Sequence, residues 1–191
     1  DKKIIKEGEK FLAYKLNSIF IAYKVFTKNQ IKNYFPKEID DKFICIFTSS
    51  EDEKSYFGND LNFPIIDQFN AIKELIKIFK KVSIKIVVRI HPNQSGMDLE
   101  KKLVEESHKR NKKLIVVKGN SKYDTYALMV KSQANISFGS STAIESILLK
   151  RNSYLIGRAI YDNVIKIKQF SNMSDCCKNI LSDFDNKREL N

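Results

Sequence analysis

The sequence predicts an α/β domain built on a parallel sheet with helices on both faces, preceded by a long N-terminal helix. Two observations predict it. From residue 42 onward, short apolar runs rich in β-branched and aromatic residues alternate with stretches of helical amphipathic spacing. Five of the six glycines (Gly58, Gly96, Gly119, Gly139 and Gly157) fall in the segments that follow the five apolar runs. In an open parallel sheet the ligand crevice lies beyond the carboxyl ends of the strands. Residues that permit close backbone approach therefore gather on the expected ligand side.

The elements follow in order. Residues 2 to about 28 carry Ile5, Leu12, Leu16, Ile19 and Tyr23 at helical spacing, which reads as one long amphipathic helix needing a partner surface. Pro36 makes continued helix unfavourable, and "NYFPKEIDD" becomes a connector. The boundary is placed there: 1–41 as helix and connector, 42–191 as the sheet domain. "KFICIFTSS" is the first strand, and 67–81 a helix with Asp67 at its cap. "SIKIVVRI" is the second strand, with a helix near 97–111. "KLIVV" precedes a helix over 123–132, "ANISF" precedes one over 141–150, and "SYLIG" closes the strand series before a last helix over 173–182. Strands alternating with helices give right-handed βαβ units, a Rossmann-like arrangement.

The chain carries 34 Lys and Arg against 23 Asp and Glu, a formal net charge of +11. Its lysines are spread along every polar face rather than gathered into one block. Such a charge draws anionic partners in general without choosing among them. No basic stretch interleaved with aromatics and no nucleic-acid motif is present, so nucleic acid is not expected as a partner. No window approaches the run of about 18 apolar residues that a membrane span requires. The N-terminus mixes both charge signs with its apolar residues, unlike a signal peptide. The missing initial methionine is read as the mark of a piece of a longer protein. Cys45, Cys176 and Cys177 offer neither a disulfide framework nor metal spacing, as expected for a reducing cytoplasm.

Three loops on the expected rim hold the candidate chemistry. In "GSSTAIE", Gly139 allows close approach, and Ser140, Ser141 and Thr142 add hydroxyl donors where a helix begins, a combination suited to an anion. The plainer alternative is a hydroxyl cap that binds nothing. Glu145 is placed either to accept ribose hydroxyls or merely to complement the helix dipole. In "RIHPN", His91 is one of only two histidines, held extended by the following proline. It can donate to a phosphate oxygen, act as acid or base, or serve the structure alone. Arg89 shares its face and has either an acidic residue or a ligand as partner. In "TSSEDE", Glu51, Asp52 and Glu53 are candidates for a base, a ribose ligand or a metal ligand, with ordinary acidic surface as the alternative. No spacing specifies a metal site.

The order of these loops resembles the donor-binding half of GT-B glycosyltransferases, nearest to bacterial capsule and surface-polysaccharide transferases. Bacterial sialyltransferases and Kdo transferases share an HP motif and a serine/threonine motif, and CDP-glycerol glycerophosphotransferases have a related layout. The likeness covers about residues 42 to 160 and is carried by "FTSSEDE", "RIHPN" and "SFGSSTAIESILLKRNSYLIG". Asn152-Ser153 stands where those families commonly have glycine-proline. The resemblance implies that His91, with Asn93 beside it, contacts the donor phosphate. Gly139, Ser140, Ser141 and Thr142 would hold the other phosphate oxygens, with Glu145 on the ribose. His91, Glu51, Asp52 and Glu53 become the catalytic candidates, with no metal and no cofactor. The implied partners are a CMP-, CDP- or UDP-linked sugar donor and a glycan or lipid-linked acceptor, at the cytoplasmic face of a membrane. The rival expectations are a non-catalytic Rossmann-like interaction module and a related CDP-glycerol-type phosphotransferase.

Overall fold

The computed structural model describes Lys6, Lys10 and residues 29–39, 42–50, 66–109, 113–159, 161–162 and 166–189. The expected long helix over 2–28 therefore lies almost wholly outside the described residues. Six strands, β1 (Phe43–Phe47), β2 (Lys85–Arg89), β3 (Leu114–Val117), β4 (Ala134–Ser137), β5 (Ser153–Ile156) and β6 (Lys168–Phe170), form one sheet in the order β3-β2-β1-β4-β5-β6. Every pairing is parallel. Among the described residues, the helices that accompany them are α1 (Gln68–Ile78), α2 (Asp98–His108), α3 (Thr125–Lys131), α4 (Thr142–Leu148) and α5 (Met173–Glu189). The Rossmann-like sheet read from the sequence is what the chain forms.

Both faces of the sheet are covered, which is why its central strands are apolar throughout rather than alternating. Ile44, Ile46, Ile86 and Val88 share one core with Ile72 and Leu75 of α1, Leu103 of α2 and Ile180 of α5. The intervening residues Phe43, Cys45, Phe47 and Val87 join Leu128 and Met129 of α3 on the other face. Burying each such aliphatic side chain is worth about 1.5–3 kcal/mol. Burial also pushes the Cys45 thiol well above its ordinary pKa, so it behaves as a small apolar residue.

Two elements differ from the sequence reading. The last helix runs to Glu189 because Cys177, Ile180, Leu181 and Phe184 continue one apolar stripe past residue 182. The edge strand β6 was not expected, since Lys168-Gln169-Phe170 is only three residues long and mostly exposed. It is fixed by pairing with β5, Tyr154 opposite Lys168, a contact no local pattern announces.

The connector is docked on the sheet domain beside the turn that opens α3. Ile31 N–H donates to Lys122 O at 2.8 Å, and Thr125 N–H to Gln30 Oε1 at 2.8 Å. Asp124 caps α3 through Oδ1, which accepts the Tyr126 and Ala127 N–H groups, while its Oδ2 accepts Asn33 N–H at 2.8 Å. Lys131 Nζ lies 3.9 Å from the Phe35 ring centroid.

Candidate functional site

Strand order reverses between β1 and β4, the point where open α/β sheets leave a crevice beyond their carboxyl ends. Register sets what lines it. Phe47 pairs with Arg89 of β2 and with Ser137 of β4, so Thr48, His91 and Phe138–Ser141 emerge on one rim. Two strand spacings, about 10 Å, separate the ends of β2 and β4, with β1 between them. The structure thus brings the starts of all three sequence-predicted loops to the switch point, the first of them described only as far as Ser50.

The loop after β1 is buried rather than splayed: Thr48, Ser49 and Ser50 are all under 5% exposed. Gln68, in the first turn of α1, clamps it from both sides. Its Oε1 accepts Ser49 N–H at 2.9 Å and its Nε2 donates to Ser49 O at 3.0 Å. Glu51, Asp52 and Glu53 follow directly but lie outside the described residues.

After β2, His91 N–H donates to Thr48 Oγ1 at 2.8 Å. The chain then closes into a short 3₁₀ turn over Pro92–Gln94, with His91 as its cap: the ring Nδ1 accepts Asn93 N–H at 3.2 Å. An imidazole whose Nδ1 accepts carries its proton on Nε2 when neutral, which makes it a donor at that nitrogen. Asn93 acts here through its backbone N–H. Gln94 is buried, and among the described residues its Oε1 has no partner, a cost of about 1–3 kcal/mol.

After β4, Gly139 takes φ +81, and a Cβ there would meet Arg158 O at 2.9 Å, so glycine is required on two counts. Ser140 O accepts from Ala143 N–H at 3.1 Å, from the Ser137 hydroxyl at 3.3 Å and from the Tyr161 hydroxyl. In a trans peptide, C=O and N–H point in opposite directions, so anchoring this carbonyl turns the Ser141 N–H away from the body of the loop. Ser141 is the cap residue of α4, yet its hydroxyl makes no cap bond. It donates instead to Glu145 Oε1 at 3.1 Å, and Ser140 Oγ reaches the Thr142 N–H at 3.4 Å. Glu145 is 5% exposed. It lies near Tyr126, whose phenol is pushed up by burial first and by the Glu145 charge second. Among the described residues the Tyr126 hydroxyl has no partner within ordinary hydrogen-bond length.

Among the described residues Arg89 makes no hydrogen bond to an acidic side chain, and it does not stand at an exposed ligand position. It is 4% exposed, and its guanidinium donates to Lys118 O, Ser121 Oγ and Thr125 Oγ1, fixing the turn after β3. Burial lowers its pKa to about 10, offset in part by the Glu100 charge. Sequence reasoning missed Gln68, Glu100 and Tyr161. Glu100 alone carried a local signal: it shares the buried side of α2 with Leu99 and Leu103, an odd place for a charge. Among the described residues, no three His, Cys, Asp or Glu side chains gather as a metal site, and no helix is long and apolar enough to cross a membrane.

No family model and no curated protein matches the chain. Its Rossmann-like architecture is that of one half of a GT-B fold, and it superposes on two solved structures of Thermosulfurimonas dismutans KpsC. The β-Kdo 2,4 transferase superposes with a TM-score of 0.55 at 12% identity, over 92% of this chain and 51% of that one. The β-Kdo 2,7 transferase superposes with a TM-score of 0.53 at 15% identity, over 91% of this chain and 47% of that one. The chain spans about half the length of these transferases. At such identities the likeness is one of fold.

Proposed function

We propose that this chain is the donor-binding half of a nucleotide-sugar-dependent glycosyltransferase that acts in bacterial surface or capsular polysaccharide synthesis. The carrying observation is the convergence, at the switch point, of a histidine that presents Nε2–H with a turn built around Gly139 whose Ser141 N–H is directed away from the loop body. A donor phosphate placed beyond β1 has His91 on one side and Ser140, Ser141 and Thr142 on the other. Glu145 and Ser141 form the ribose side of the site. Donors fixed before reaction stabilise the negative charge that grows on the leaving nucleotide, the main catalytic lever available here. The acceptor and its general base belong to the other half of such an enzyme. The donor is CMP-, CDP- or UDP-linked, and the acceptor is a growing glycan or a lipid-linked one.

Thermal stabilisation by CMP, CDP, UDP and GDP tests this. A ligand at 100 times its Kd adds about 2.7 kcal/mol to the folded state. One nucleotide is expected to stabilise the chain, with the effect lost in His91→Ala and Ser141→Ala. A folded chain that responds to none of the four, or variants that respond like the parent, would exclude this donor site and leave the Rossmann-like interaction module as the better reading.

A further inference from the structure

We propose that Glu100 is a positioning residue for His91: by tying the turn after β2 to the turn after β3, it fixes the histidine ring in its Nε2–H form. The Glu100 side chain comes from the first turn of α2 and is 7% exposed. Its Oε1 accepts Gly96 N–H at 3.2 Å and its Oε2 accepts Gly119 N–H at 2.8 Å. A carboxylate with an oxygen on each of two loops acts as a bracket, because neither loop can slide without losing a charge-assisted bond.

What Glu100 places bears directly on the histidine. Gly119 lies so close to the HP turn that a Cβ on it would be 2.9 Å from His91 O and 3.0 Å from Ser95 Cβ. The same His91 carbonyl accepts Gln94 N–H at 2.8 Å, the bond that closes the 3₁₀ turn. Closure of that turn is also what brings Asn93 N–H to the ring Nδ1. Turn shape and ring tautomer are therefore one interaction, and the bracket holds both. The turn does not settle its own geometry, since it leaves Gln94 Oε1 buried without a donor. Arg89 braces the far side of the β3 turn through Lys118 and Ser121, so Glu100 works against a fixed wall.

Only the consequence for nucleotide binding rests on the donor-site reading; the ring geometry is tested without nucleotide. The chain has two histidines, and the second, His108, is exposed on α2 and serves as an internal reference. Long-range ¹H–¹⁵N spectra of the imidazoles, recorded on the full chain at about pH 8, where an ordinary imidazole is neutral, report the tautomer of each. His91→Gln assigns the signals. The parent is expected to show His91 with Nδ1 as acceptor and Nε2 protonated. Glu100→Gln, which sets an amide NH₂ against a backbone N–H, is expected to move the His91 signals toward an averaged tautomer while His108 stays put. Gly119→Ala loads the same turn from the other side and is expected to do the same should Glu100→Gln fail to fold. A folded variant that melts earlier with His91 unmoved would show that Glu100 only ties loops, and would overturn the proposal. In CMP, CDP and UDP titrations, Glu100→Gln is expected to weaken whichever nucleotide the parent binds by about three- to tenfold. Undiminished binding in the variant would overturn the positioning role. No binding by the parent would sink the donor reading and leave the ring result to decide the positioning by itself.

Discussion

The Thr48 hydroxyl accepts the His91 N–H at 2.8 Å, and the Thr48 N–H in turn donates to Arg89 O at 3.1 Å. One side chain thereby continues the β1–β2 ladder past the last strand residues and carries it into the HP turn. Thr48→Val keeps the shape but leaves the His91 N–H without its acceptor, and is expected to cost about 1–3 kcal/mol in urea unfolding. Thr48→Ser keeps the acceptor and should lose far less. Equal losses in the two variants would mean that the methyl group, and not the hydroxyl, matters.

The opposite sign is expected at Tyr126. Among the described residues its hydroxyl has no partner at ordinary hydrogen-bond length, so on folding it exchanged its hydration for no more than a long contact with the Glu145 carboxylate. Tyr126→Phe should raise stability by about 1 kcal/mol. A loss of that size would reveal a hydrogen bond to the Tyr126 hydroxyl in solution.

Gln68 satisfies both backbone groups of buried Ser49. Replacing it with leucine orphans a donor and an acceptor together and is expected to cost about 2–4 kcal/mol. Gln68→Glu retains only the bond from Ser49 N–H and should fall between parent and leucine variant in the same denaturation series.

Acid stability should depend on Asp162. The Arg158 guanidinium, joined by Ala159 N–H and the Gln169 amide, holds its carboxyl below the ordinary aspartate range. A carboxyl depressed in the folded state contributes fully above its unfolded pKa, about 3.9, and that contribution fades as pH falls toward the folded value. The parent should therefore lose stability between about pH 4 and pH 3 more steeply than Asp162→Asn. Parallel profiles for the two proteins would remove Asp162 from the acid response.

Much of this protein was determined locally. Five of the six strands and the helices that accompany them were legible because an element that buries one face must repeat its apolar residues at its own period, as Ile72 and Leu75 do on α1 and Met173 through Phe184 on α5. The described glycines after the strands marked the carboxyl-end rim of the sheet for the same kind of reason: at Gly139 the turn needs a positive φ and has no room for a Cβ. The candidate site was legible only in its outline. His91 and the Ser140–Thr142 turn do share a rim, but Arg89 proved to hold a loop, Ser141 to hold Glu145, and β6 to exist only through its pairing with β5. Gln68 with Ser49, Glu100 with Gly119 and Tyr161 with Ser140 stand 19, 19 and 21 residues apart in the chain. Such bonds depend on where two packed elements place their ends, and no period or spacing along the sequence encodes that distance; the sheet had to form before they could.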